Sequence, residues 1–178
     1  MSKAHLVLTA VGPDKSGTVE MITDIIVANS ANIEESKMAR LGGEFAVIML
    51  LSLPEEKVQD LIVNLDTLQD KGLTIVTRRT DFSRLTSFRG FVPYDIVVLG
   101  ADHEGIVNRV ARYLASENIN VEEMDTYVTN APNTGTPLFS MFAKVQVPPE
   151  VALSKLRRKL AEVGDELDVD IDVKVPAA

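Results

Sequence analysis

Residues 11–36 read VGPDKSGTVEMITDIIVANSANIEES, and residues 99–124 read LGADHEGIVNRVARYLASENINVEEM. Laid side by side without a gap, Gly12 falls on Gly100, Asp14 on Asp102, Gly17 on Gly105, Val19 on Val107 and Asn32 on Asn120. Glu34 and Glu35 fall on Glu122 and Glu123. Scattered identities arise by chance, but two glycines, an asparagine and a glutamate pair together mark an internal duplication. Such a repeat sets the architecture and has to be settled before any motif is interpreted.

Each copy carries the same order of elements. Leu6 to Val11 and Tyr94 to Leu99 are apolar and rich in β-branched residues, as in a buried strand. Val19, Ile22 and Ile26 then share one helical face, as do Val107, Val110 and Leu114. Asn32 and Asn120 are expected to end those helices, and Ile33 and Val121 to open a second strand. Third strands are expected from Phe45 to Leu53 and from Phe139 to Val147, each stopped by a proline, Pro54 or Pro148. Val58, Leu61, Ile62 and Leu65 make a second helical stripe, matched by Val151, Leu153, Leu156 and Leu160. The last strands run over Leu73 to Thr77 and Leu167 to Val175, the latter alternating apolar residues with Asp168, Asp170, Asp172 and Lys174.

The pattern is β-α-β-β-α-β, twice. The fold class is therefore α+β, two ferredoxin-like units of antiparallel sheet with helices on one face. The expected boundaries are a first domain over 1–80, a joint over 81–93 and a second domain over 94–178. Phe82, Phe88 and Phe91 in the joint argue for packing rather than free swinging, since loose linkers are rich in Gly and Ser. Each copy is small for an independent domain, so we expect the two sheets to join into one eight-stranded surface.

Composition narrows the function. Net charge is −8, which opposes a direct nucleic-acid surface. There is no cysteine and only two histidines, His5 and His103, so thiolate chemistry is excluded and a metal site is not expected. Neither a signal peptide nor a spanning segment is legible, which points to the cytoplasm and away from the membrane. The GPDKSG stretch, residues 12–17, sits between strand and helix as an anion-binding loop would. A nucleotide P-loop needs Lys and Ser or Thr after its second glycine, whereas Thr18 and Val19 follow Gly17. A catalytic reading of His103 beside Asp102, with Ser116 or Ser140, finds no nucleophile elbow and meets Lys15 at the equivalent position. The protein is therefore expected to be no enzyme and to need no cofactor.

A glycine-containing strand-to-helix loop followed by a helix and Asn, inside this topology, resembles the ACT domain, a family of amino-acid-binding regulatory modules. Two such copies with little else are similar to the glycine cleavage system transcriptional repressor family, whose long second-to-third-strand hairpin the segment 124–139, MDTYVTNAPNTGTPLF, resembles. The resemblance implies an amino-acid ligand, glycine first, and action through a partner protein such as a transcription factor. It implies ligand-binding positions at Asp14, Lys15, Ser16, Gly17, Asn32 and Ile33, and at Asp102, His103, Glu104, Gly105, Asn120 and Val121. In the family the ligand lies between the loop of one domain and an adjacent domain, and a homodimer is compatible with that. Helix-start N–H groups would receive the α-carboxylate, and Asn or Asp the ammonium. A stand-alone regulatory subunit of an amino-acid metabolic enzyme is the alternative.

Structural readings compete at each position. Gly17 and Gly105 serve tight turns equally well, Asp14 and Asp102 suit helix caps, and Asn32 and Asn120 suit left-handed helix ends. Glu34, Glu35, Glu122 and Glu123 read as solvated edges, and Lys155, Arg157, Arg158 and Lys159 as a solvated helix face. One asymmetry stands out. The first copy turns tightly through Leu41, Gly42 and Gly43, while the second carries six more residues between Asn130 and Pro137, an inert loop or a partner-binding flap.

Overall fold

The computed structural model describes residues 2–81 and 88–176. The first unit runs β1 (Lys3–Pro13), α1 (Thr18–Ala28), β2 (Asn32–Leu41), β3 (Glu44–Pro54), α2 (Val58–Asp66) and β4 (Thr74–Arg79). Short 3₁₀ turns flank α2 at Glu55–Lys57 and Thr67–Lys71. The second runs β5 (Val92–Ala101), α3 (Ile106–Ser116), β6 (Asn120–Asn130), β7 (Pro137–Val147), α4 (Leu153–Leu167) and β8 (Val169–Lys174). The chain divides into two compact units, Met1–Arg84 and Leu85–Ala178.

Strand order is β2-β3-β1-β4 in one sheet and β6-β7-β5-β8 in the other, all pairs antiparallel. The backbone hydrogen bonds therefore close a four-stranded sheet within each unit. Leu6, Leu8, Leu51 and Leu53 meet Ile22, Ile26, Leu61 and Leu65 in the first core, all essentially sealed from water. Ile96, Val98, Met141 and Val145 meet Val110, Leu114, Leu156 and Leu160 in the second. Each such side chain contributes roughly 1.5–3 kcal/mol by burial, so each unit owns a core of its own.

Several local expectations shift by a residue or more. The buried helical stripe begins at Thr18 and Ile106, while Val19 and Val107 face outward. The helices end earlier than expected, at Ala28 and Ser116, and the left-handed residues are Ser30 and Asn118. Asn32 and Asn120 instead open β2 and β6. Leu167 closes α4 and Asp168 takes the left-handed turn, so the last strand starts at Val169. The chain can return that sharply because Gly164 lets α4 approach β8: a Cβ there would sit 2.6 Å from the Val169 carbonyl oxygen. In the joint, Phe88 and Phe91 meet edge to face at 5.4 Å, and Phe82 lies outside the described residues.

Candidate functional site

The two glycine loops are built alike. Gly17 (φ 87°) and Gly105 (φ 94°) are the N-cap residues of α1 and α3, in the left-handed region that strains any residue with a Cβ. Neither helix start has a side-chain cap, so Asp14 and Asp102 do not cap. Asp14 instead pairs with Arg40 at 3.3 Å. Each aspartate donates its backbone N–H to the hairpin alongside, Asp14 to the Gly43 carbonyl (2.9 Å) and Asp102 to that of Pro137 (3.0 Å). In the first loop the Lys15 carbonyl accepts from the Thr18 hydroxyl at 2.8 Å. Lys15, Ser16 and Glu104 point to solvent.

His103 departs from its counterpart Lys15. Its Nδ1 lies 3.0 Å from the Glu104 carbonyl oxygen and its Nε2 2.7 Å from that of Leu167, at the end of α4. Carbonyls only accept, so both ring nitrogens are served best as N–H donors. Those two bonds, helped by the nearby charges of Asp102 and Asp168, hold the imidazole pKa above its usual value. The ring is therefore a tie between loop and helix. The hydroxyl of Ser116 donates to the Tyr113 carbonyl at the far end of α3, about 16 Å from the helix start, so Ser116 is not a partner of His103.

The expected binding residues do not converge within a unit. Pro13 pairs with Glu44 at one end of the sheet, while Asn32 pairs with Ser52, itself opposite His5, at the other. Eight strand residues, about 26 Å, separate the levels. Asn32 donates to the Glu34 carboxylate at 3.3 Å, and Ile33 and Val121 turn their side chains against the cores. An open cleft of about 320 Å³ borders Asn32, lined also by Lys3, Ser30 and Ser52.

Other residues proved more engaged than their sequence suggested. Glu34 and Glu122 sit at matching irregularities of the β2–β3 and β6–β7 ladders. Hydrogen bonds from Ser52 and then Asn32 hold the Glu34 carboxyl below its usual range. Glu34 is thus a bonded element rather than a bare solvated edge. Gly12 and Gly100, matched in the repeat but given no role there, are close-contact positions: a Cβ would lie 2.7 Å from the Gly72 carbonyl oxygen or 2.6 Å from a Val169 methyl. The α4 cations are occupied at home, Lys155 with Glu117, Lys159 with Glu162 and Arg157 with the Val173 carbonyl. Among the described residues no group of His, Asp and Glu could hold a metal, and no helix is long and apolar enough to cross a membrane.

The fold defines a pair of ACT-type regulatory modules, and two family models described as ACT domain match residues 4–77 and 93–174. The chain is 32% identical over 136 residues to the glycine cleavage system transcriptional repressor of Escherichia coli strain K12, covering 74% of this chain and 69% of that one. It belongs to the glycine cleavage system transcriptional repressor family of tandem ACT-domain proteins. The chain is also 35% identical over 80 residues to the UPF0237 protein MK1213 of Methanopyrus kandleri, spanning 44% of this chain and 82% of that protein. A crystal structure of an unknown protein from Galdieria sulphuraria superposes with a TM-score of 0.84 at 32% identity, over 99% of this chain and 100% of that one. Another, described as that of a candidate glycine cleavage system transcriptional repressor, superposes at 0.70 over 98% of both chains with 20% identity, a likeness of fold.

Proposed function

We propose that the protein is a non-catalytic, cytoplasmic regulator that senses an amino acid, glycine first, and controls glycine cleavage through a partner protein such as a transcription factor. The observation that carries this reading is the 32% identity to the Escherichia coli repressor across 74% of the chain. The loops support it. Gly17 and Gly105 open the starts of α1 and α3, where backbone N–H groups and the helix dipole suit a carboxylate. Asn32 and Asn120, at the other end of each sheet, form a second group that can receive an ammonium only from a ligand not also bound to the loop of the same unit.

A thermal-shift screen of the twenty amino acids against the whole protein, paired with capture of partners from native cells, tests the proposal. A ligand at about 100 times its dissociation constant should add roughly 2.7 kcal/mol of stability. Gly17→Ala and Gly105→Ala, each straining a left-handed residue by about 1–2 kcal/mol, separate the two loops. If no amino acid shifts the melting curve and no transcription factor is captured, the reading fails. Capture of a metabolic enzyme would favour a regulatory subunit instead.

A further inference from the structure

The second glycine loop is tied on two sides. The Asp102 N–H donates to the Pro137 carbonyl at the base of the long hairpin, and the His103 ring reaches the Leu167 carbonyl where α4 ends. Leu167 precedes the left-handed Asp168, the turn that sends the chain into β8. One side chain thus joins the approach to α3 with the end of α4, across 64 residues of sequence. The first loop contains no histidine; Lys15 stands at the equivalent place and points to solvent.

Proton count decides whether this tie can exist. A neutral imidazole donates through one ring nitrogen and presents a lone pair at the other, whereas the imidazolium donates through both. Nδ1 lies 3.0 Å from the Glu104 carbonyl oxygen and Nε2 2.7 Å from that of Leu167, and neither oxygen can donate in return. Both bonds together therefore need the charged ring. Loss of the proton turns one lone pair toward a carbonyl oxygen and opens that bond, whichever tautomer remains. If the Leu167 bond opens, the loop parts from α4. If the Glu104 bond opens, the peptide entering Gly105, the left-handed N-cap of α3, loses its restraint. Asp102 and Asp168 are the acids whose charges favour the proton. The other charged groups at these helix ends are Glu104, exposed on the loop, and Arg109 of α3, which bonds Glu166 of α4 at 2.9 Å.

We propose that His103 is a proton-operated latch on the second glycine loop: the imidazolium holds residues 102–105 against the end of α4, and the neutral ring releases them. The latch makes the start of α3 a pH-dependent carboxylate site, tighter when His103 is charged. A held loop presents its N–H groups in one arrangement, and the ring adds a positive charge beside them. His103 is thus a positioning residue. The carboxylate consequence rests on the amino-acid reading of the loops, whereas the latch itself is read in protein without added ligand.

NMR of the full chain from about pH 5.5 to about pH 8.5 tests the latch, with the imidazole, the backbone carbonyls and amide relaxation followed together. The Glu104 or Leu167 carbonyl should shift at the midpoint of the His103 ring. Order parameters of residues 103–105 should fall there from about 0.85 toward about 0.6. His103→Gln removes the titration, and His103→Lys keeps a cation without the ring; in both, loop order should be the same at either end of the range. Glycine is then titrated at both ends, with the Gly105 amide reporting on this loop. Its affinity should fall about fivefold or more as pH rises in the wild type, the worth of about one hydrogen bond, and stay level in His103→Gln. The latch is overturned if loop order does not change through the ring's midpoint, or if the change persists in His103→Gln. Equal glycine affinity at both ends in the wild type overturns the gating. If glycine binds at neither end, the amino-acid reading of this loop fails, while loop order still decides the latch.

Discussion

In the first unit β2 and β3 turn through Gly42 and Gly43, both at positive φ, as a two-residue type I′ hairpin requires. In the second, β6 and β7 turn through residues 131–136, a loop closed on itself by the Ala131 N–H on the Thr136 carbonyl (2.8 Å) and the Gly135 N–H on the Ala131 carbonyl (2.9 Å). Yet in both units the same backbone bond joins the hairpin base to the aspartate of the glycine loop. The duplication has kept what the backbone demands and let the side chains drift. Position 15 is an exposed lysine while position 103 is a histidine bound to α4. The helix pair is joined by Asn64 donating to the buried Asn29 in one unit and by the Lys155–Glu117 ion pair in the other.

The sharpest way to test that contrast is at the close-contact glycines. Gly12→Ala drives its Cβ against the Gly72 carbonyl, which belongs to the backbone and has little room to yield, and should cost about 3 kcal/mol. Gly100→Ala meets mainly the Val169 side chain and should cost about 2 kcal/mol. All three tyrosines, Tyr94, Tyr113 and Tyr127, lie in the second unit, so tyrosine fluorescence follows that unit in urea while far-UV circular dichroism follows both. Equal losses would mean that backbone and side-chain obstacles relax alike.

The helix links should separate by salt. Asn64→Ala strips a partner from the buried Asn29 and should cost about 1 kcal/mol at any ionic strength. Lys155→Ala breaks a surface pair and should cost about 0.5 kcal/mol or less, falling further in salt. Denaturation midpoints at low and high salt decide between them.

His103 makes a contrast in pH. Its folded-state pKa is raised by the Glu104 and Leu167 carbonyls, so the stabilisation is complete below the ordinary histidine pKa and is lost as pH rises through the folded value. Melting of the second unit, read by tyrosine fluorescence, should fall across that window in the wild type, and His103→Gln should flatten the fall. A profile unchanged by the substitution would show that the tie contributes nothing.

The smallest effect on stability is expected from the long hairpin. Replacing residues 131–136 by Asn-Gly should move the denaturation midpoint by no more than about 0.5 kcal/mol, because loop length enters only logarithmically. Since Pro137 anchors the Asp102 loop, ligand response or partner capture should weaken, as calorimetry and pull-down would register. Parent values in both would make the insertion inert.

The duplication, the strand and helix order, most of the core-facing positions and the need for glycine at positions 17 and 105 were legible in the residues alone. Those features are written in windows of a few residues, where hydrophobic period and backbone sterics act locally. Element ends were less legible. Thr18 and Ile106, rather than their valine neighbours, face the cores because the left-handed glycines set each helix's phase. The tie of His103 to Leu167 spans 64 residues and that of Arg40 to Asp14 spans 26. The row of Glu123, Lys144, Asp95 and Lys174 depends on the register of four strands at once. These contacts emerge only on folding, because partners distant in the chain meet through packing and register that no local pattern encodes.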